Sequence, residues 1–385
     1  MSLEDIKDWI LLNMIPGVGS LSFLRLIRFF GSPDAVLKAS LRELSTIRGL
    51  TPAICQSIVD HRDCIDADRE LDMINRHNCK VITIKDSAYP QNLKVIYDPP
   101  PILYIKGNLL PEDSQSISIV GTRTASAYGK QVAEKMGSEL ALKGFTIVSG
   151  MAYGIDTVSH NGALRAGGRT IAVMGNGLDI IYPSQNSGLF ERIISSGAAI
   201  SEFPMGTQPK KENFPIRNRI VSGMSLGTLI IEASKKSGSL ITADYALEQG
   251  REVFAVPGSI FSDTSKGTHD LIKQGAKLAE SVTDIIDELP SYINRPNAFS
   301  LLAKDNTDKD TKAKEEEMLI ELQLTEEEIA IWKVIGQYPI HIDEISRLSN
   351  LPTHKASAAL VILELKGLIC QSSGKMFTRK KASKG

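Results

Sequence analysis

The stretch SISIVGTRTASAYGKQVAEKMGSELALKGFTIVSG, residues 116–150, carries a short β-branched run at each end and an amphipathic helical run between them. The same order recurs along the middle of the chain. VITI (81–84) precedes it, and TIAVMG (170–175), AAISE (198–202), GTLIIEA (227–233) and EVFAVPG (252–258) follow, with helical stretches in between. These runs are apolar on both faces and most end in Gly or Ser before a helix, as strands of a parallel sheet covered by helices do. Residues 76–290 are therefore expected to form an α/β domain with a Rossmann-like doubly wound, mostly parallel sheet.

Ligands of such sheets bind beyond the carboxyl ends of the strands. The unusual residues fall there: GTR (121–123), SGMAYGID (149–156), GNGLD (175–179), Ser201-Glu202 and EASKKSGSLITA (232–243), which one crevice would collect. The first turn, VGTRTASAYG, fails the test for a dinucleotide cofactor, because Arg123 stands where G-x-G-x-x-G needs its second glycine. A cation there, with the Gly121 and Thr122 amides, suits a phosphate outside the fold. No Walker A motif occurs, so a nucleotide triphosphatase is not expected. Gly150 and Tyr153 of SGMAYGID, and Ser237, Gly238 and Ser239 of SGSLITAD, read as two further anion nests at helix starts.

FPIRNRIVSGMS (214–225), preceded by Lys210 and Lys211, points to a polyanion. Arg217 and Arg219 carry permanent charge, Phe214 offers a face for a base, and Asn218 lies between the arginines. Four basic residues stand here against Glu212, in a chain of 385 residues whose net charge is only −1. The cationic character is local.

An apolar fraction of 42% can fill at least one large core, and the length suits two or three domains. No apolar run reaches the ~18 residues of a membrane span, and the start MSLEDIKDWI lacks the order of a signal peptide, so a cytoplasmic protein is expected. Cys55, Cys64, Cys79 and Cys370 form no CxxC pair and lack histidines at metal spacing; neither a metal nor a disulfide framework is implied.

Residues 1–75 are rich in helix formers, with glycine turns at IPGVG (15–19) and IRGL (47–50), the pattern of paired helical hairpins whose turn amides can meet a phosphate. Residues 291–320, including LAKDNTDKDTKAKEEE, read as a charged linker. Residues 321–385 read as a winged-helix domain: a capping box at Thr325 and Glu328, helices at 343–349 and 353–366, a hairpin about 372–374, and a basic tail from Lys375 to Lys384. The third helix, THKASAALVILELKG, has few side chains suited to base edges, which favours a protein contact or weak double-stranded DNA binding over sequence-specific readout.

Catalytic constellations are weak. Asp156 and His160 lie four apart, but no G-x-S-x-G elbow surrounds Ser149 or Ser159, and His160 is expected to be a buried partner of Asp156. Glu232 is the best carboxylate, expected to accept hydrogen bonds from loop amides or an arginine. Asp179 and Tyr182-Pro183 read as a structural turn.

Taken together, GTR, SGMAYGIDTVSH, GNGLDIIYP, FPIRNRIVSGMS and EASKKSGSLITADYALEQGREVFAVPG make the chain resemble the DNA processing protein A family, also called DprA or Smf. The resemblance implies a non-enzymatic protein of natural transformation that binds single-stranded DNA, forms a homodimer through its Rossmann-like domain and loads the RecA recombinase. It also implies a sterile-alpha-motif-like or hairpin domain in front and a winged helix behind. Carried over by motif, Arg123 would grip a phosphate, Lys211 would line the same pocket, and Phe214, Arg217, Asn218 and Arg219 would complete the groove. Gly267-Thr268-His269 departs from the usual Gly-Thr-Asn. The alternative is a nucleotide phosphoribohydrolase of the lysine-decarboxylase-like Rossmann group, of whose P-G-G-x-G-T-x-x-E pattern only Gly227, Thr228 and Glu232 remain.

Overall fold

The computed structural model describes residues 3–289, 325–335, 340–349, 351–366, 368–372 and 375–379. Two compact units divide the chain, Met1–Ala298 and Phe299–Gly385. The expected linker at 291–320, the turn of the C-terminal hairpin and the end of the basic tail lie outside the described residues.

The first unit is built on nine strands: β1 (Lys80–Thr83), β2 (Ile102–Gly107), β3 (Ser116–Val120), β4 (Thr146–Ser149), β5 (Thr170–Val173), β6 (Ala198–Ser201), β7 (Gly227–Ile230), β8 (Glu252–Ala255) and β9 (Lys277–Leu278). Their order is β1-β2-β6-β5-β4-β3-β7-β8-β9. From β6 to β9 every pairing is parallel, and β2 joins antiparallel to both β1 and β6. The chain steps outward from β3 through β4, β5 and β6, crosses back to β7, and steps the other way through β8 and β9. The doubly wound sheet therefore has its switch point between β3 and β7. β2 and β9 were not anticipated. ILYIKG follows a triple proline and runs antiparallel, and β9 is two residues long, too short for a periodic signal.

Strand alternation places the core. Ile117 and Ile119 of β3 pack with Met136 and Leu140 of the helix Ala127–Leu142 on one face. Val120 joins Ile220 and Val221 of the helix Asn213–Gly223 on the other. In a sheet with period two, both faces are thus buried, as the apolar runs required.

Six helices precede the sheet: Leu3–Met14, Ser20–Phe30, Pro33–Lys38, Leu41–Leu44, Pro52–His61 and Ala67–Arg76. The two glycine turns separate helices as expected, with Gly17 at φ 82° and Gly49 at φ 90°, a backbone region that glycine enters without strain. Trp9 stacks on Phe23 at 5.2 Å, and the core that holds them continues into Tyr104, Met174 and Phe190 beside the sheet.

The second unit contains the helices Glu326–Val334, Ile342–Leu348 and Thr353–Leu365, and the strands β10 (Ile340–His341), β11 (Ile369–Ser372) and β12 (Met376–Arg379). The strands pair antiparallel in the order β10-β12-β11 around Ile331, Trp332, Leu360, Leu363 and Phe377. Thr325 and Glu328 form the expected capping box. Among the described residues, three helices and a small antiparallel sheet make this unit a winged helix.

Candidate nucleic-acid interface

Arg217 and Arg219 sit two residues apart on the helix Asn213–Gly223. Such residues do not share a helix face, and the structure sends them to opposite neighbours. The Arg217 guanidinium enters the strand ends, where its Nη1 donates to the Gly150 and Val173 carbonyls. Arg219 turns toward the N-terminal helices. It donates to Glu202 at 2.7 Å and Asp98 at 2.9 Å, and its Nη2 donates to the Ser20 hydroxyl at 3.1 Å. Each arginine is only 4% exposed. The expectation that both complete an open groove is therefore corrected. Arg219 is neutralised inside an ion-pair cluster, which holds its pKa up against its burial, and Arg217 supports the site from below.

Above Arg217 lies a cavity walled by Arg123, Gly150, Tyr153, Asn176, Tyr182 and Phe214. Phe214 stacks on Tyr182, centroids 5.7 Å apart and ring planes at 27°. The guanidinium carbons of Arg123 and Arg217 lie 5.3 and 5.9 Å from the Phe214 centroid. Arg123 is exposed, so this site joins one permanent, accessible cation to an aromatic wall. Two glycines make the approach feasible. A Cβ at Gly150 would fall 2.6 Å from the Arg217 guanidinium, and one at Gly175 2.9 Å from the Phe214 ring. Tyr182, read as part of a structural turn, is a wall residue that sequence reasoning missed, whereas Asn176 belongs to the GNGLD stretch expected at this sheet edge. An aromatic beside a glycine-rich strand end was the available signal.

Both anion nests nearest Arg123 already hold an internal carboxylate. Asp156 accepts from the Gly150 amide at 3.1 Å and the Ala152 amide at 3.3 Å, spanning Met151 at φ 62°. Glu232 accepts from the Ser126 amide at 2.9 Å, the Ser126 hydroxyl at 2.5 Å and Thr264 Oγ1 at 3.2 Å. It serves as an acceptor, as expected, although an arginine is not its partner. The Thr122 amide donates to the Glu232 carbonyl at 2.8 Å, so it is not free for a phosphate. A side chain on Gly121 would meet Ile155, which explains that glycine by packing.

Burial raises Asp156 to about 6, opposed by Arg217 and the two amides, and lowers Arg217 to about 10. Burial and the Arg217 charge lower His160 to about 3. His160 is not the partner of Asp156: its Nδ1 pairs with Thr170 Oγ1 at 2.6 Å.

The single expected crevice is in fact three. Arg123, Gly150 and Tyr153 share the Phe214 cavity. Ser126, Tyr128 and Glu232 line a second cleft at the β3–β7 switch point. Glu202 and Arg219 line a third, against Gly17–Ser20. The separation follows from strand order: β3, β4 and β5 converge on the first, β3, β7 and β8 on the second, and β6 on the third.

Ser237, Gly238 and Ser239 open the helix Gly238–Glu248, where the Ser237 hydroxyl caps the Ser239 amide at 3.4 Å. Asn218 Nδ2 donates to the Gly238 carbonyl at 3.3 Å, tying this turn to the helix that carries Phe214. None of these four lines the Phe214 cavity. Lys210 and Lys211 are exposed just before Phe214 in the chain, and Lys211, expected to line the pocket of Arg123, is not among the residues that wall it. At the Gly-Thr-His departure, His269 Nε2 lies 3.1 Å from the Gly258 carbonyl and Thr268 is buried, so the loop is held from inside.

Among the described residues no helix is long and apolar enough to cross a membrane, and no cluster of His, Cys, Asp and Glu is grouped to hold a metal. Residues 80–290 match the family described as DNA recombination-mediator protein A, and residues 316–375 match the DprA winged helix domain. Protein Smf of Synechocystis is 34% identical over 99% of this chain and 100% of its own length. DNA processing protein DprA of Bacillus subtilis is 48% identical over 58% of this chain and 75% of its own. The solved DNA processing protein A of Streptococcus pneumoniae superposes with a TM-score of 0.66 at 37% identity, covering 74% of this chain and 98% of that one. With a matching sheet, a matching winged helix and a relative aligned end to end, the chain belongs to the DNA recombination-mediator protein A family, DprA/Smf.

Proposed function

We propose that the protein binds single-stranded DNA at the Arg123–Phe214 cavity, protects it, and loads the RecA recombinase onto it. The observation that carries the reading is the pairing of an exposed, permanently charged Arg123 with the stacked rings of Phe214 and Tyr182. A cation for the backbone and a ring for the base are what sequence-tolerant single-strand binding requires. The DNA-processing names of its relatives agree with it. Asn218 and the Ser237–Ser239 turn would flank the strand beyond the cavity.

The homodimer belongs to the same proposal. Among the described residues β9 has no neighbour on its outer side and its Leu278 is 46% exposed, a sheet edge open to a second copy. We assign residues 1–75 to a helical domain that shares its core with the sheet domain 76–290, residues 321–385 to a winged-helix domain, and to the protein a cytoplasmic location and a non-enzymatic role. Support for the last comes from Glu232, which is engaged by Ser126 and Thr264 and does not stand free over a substrate.

Fluorescence anisotropy of an oligonucleotide across a salt series tests the site. Arg123→Ala should weaken binding and flatten the plot of log affinity against log salt by about 0.7, the share of one phosphate contact on a single strand. Unchanged affinity and slope in the folded variant would overturn the assignment. Release of free base from nucleoside monophosphates would favour the phosphoribohydrolase instead.

A further inference from the structure

Glu70 is a carboxylate buried away from the Arg123–Phe214 cavity. It is 5% exposed and lies on the helix Ala67–Arg76, on the inward face it shares with Ala67 and Ile74. That spacing is the spacing of an apolar helix face. A carboxylate set there costs stability unless its oxygens are hydrogen-bonded. Glu70 Oε1 accepts from the Met205 amide at 2.8 Å, a contact across 135 residues. Burial raises the pKa of Glu70, and that amide opposes the rise.

Met205 belongs to the loop after β6, which braces one wall of the cavity. Residues 174–183 supply Met174, Gly175, Asn176, Tyr182 and Pro183 to that wall. The Gly177 amide donates to the Thr207 carbonyl at 3.0 Å, and Asp179 Oδ1 accepts from the Gly206 amide at 2.8 Å. At the root of the loop the Ser201 hydroxyl donates to the Asn176 carbonyl at 2.8 Å. A Cβ at Gly177 would fall 2.7 Å from the Pro204 carbonyl oxygen, so the two segments touch backbone to backbone. Apolar packing takes the same route: Met174, Leu178 and Met205 are buried in the core that holds Trp9, Phe23 and Ile74.

We infer that Glu70 is a positioning residue for the single-strand site: by holding the Met205 amide it fixes the loop 202–207, and through that loop the wall 174–183. The N-terminal helices thereby set the shape of a cavity on the sheet without touching its ligand. The inference rests on the nucleic-acid reading above and adds a second domain to the site. Its physical basis is a population. A wall held at a few hydrogen bonds divides between held and released states, and ligand binds the held one, so apparent affinity falls with the fraction held.

Two measurements on the full chain test this: anisotropy of oligo-dT across a salt series, and amide hydrogen exchange of the free protein. Glu70→Ala should weaken binding by about tenfold, the effect of one hydrogen bond to a buried charged acceptor. Its salt slope should match wild type, since no phosphate contact is lost. Glu70→Gln keeps an acceptor of the same reach and should bind within about twofold of wild type. Exchange at Gly177 and Gly206 should quicken in the alanine variant and not in the glutamine one. Glu70→Asp, one methylene short of Met205, should show the same changes at smaller size, and it replaces the alanine variant if that one does not fold. Wild-type affinity in folded Glu70→Ala, equal weakness of the alanine and glutamine variants, or a flattened salt slope would overturn the positioning role. If the wild-type protein bound no strand, the nucleic-acid reading would fall, and the exchange rates alone would decide whether Glu70 holds the wall.

Discussion

Replacing Arg217 with alanine separates a pillar of the fold from a contact to ligand. The side chain is 4% exposed, donates to two carbonyls that belong to β4 and β5 neighbours, and faces the buried carboxylate of Asp156. Its removal leaves the Gly150 and Val173 carbonyls without their charged donor and Asp156 without its cation. Each lost bond to a charged group is worth roughly 1.5–3 kcal/mol. Removing one member of a buried ion pair costs about 3–5 kcal/mol in measured cases, because the remaining charge stays uncompensated. We expect a loss in that range, a large share of the ~5–15 kcal/mol that holds a typical domain together. For a unit of this size that corresponds to a fall in unfolding temperature of roughly 10 °C. Differential scanning calorimetry of wild type, Arg217→Ala and Arg123→Ala measures it. Arg123 is exposed, and its variant should unfold within about 0.5 kcal/mol of wild type. An Arg217→Ala protein as stable as wild type would refute the reasoning and return Arg217 to the role of a surface phosphate contact.

Two further outcomes concern Asp156 beside Arg217 and the separate Arg219 cluster. Burial lifts Asp156 from its ordinary 3.8 to about 6, so the folded state holds this proton more tightly than the unfolded chain. The stability it contributes is complete below pH 3.8 and is lost as pH rises through about 6, a change of roughly 3 kcal/mol. Asp156→Asn, which keeps an acceptor for both amides, should therefore gain on wild type between pH 4 and pH 7 in urea unfolding; parallel curves would count against it. Arg219→Ala should destabilise the protein by about 3–5 kcal/mol through unpaired Glu202 while leaving the salt dependence of oligonucleotide binding unchanged. A flattened slope would place Arg219 back among the DNA contacts.

The alternation of β-branched and helical runs was legible because side-chain periodicity is a local property, and strands buried on both faces must be apolar throughout. The capping box at Thr325 and Glu328 was equally legible, since its partners lie three residues apart. The two short or antiparallel strands, β2 and β9, carried no comparable signal. Within the site, Arg123 and Phe214 were found from motif and charge, and they do come together.

Amino-acid order alone settled most of the parallel strands and the helices between them, where the helix after Thr325 begins, and which residue types crowd the carboxyl ends of the strands. Tertiary structure alone decided what those residues are free to do. Whether an amide nest is empty, or an arginine available, depends on partners distant along the chain: Glu232 reaches Ser126 across 106 residues, and Asp98 reaches Arg219 across 121. Hydrogen bonds and ion pairs act over a few ångströms, and only folding brings such groups within that range.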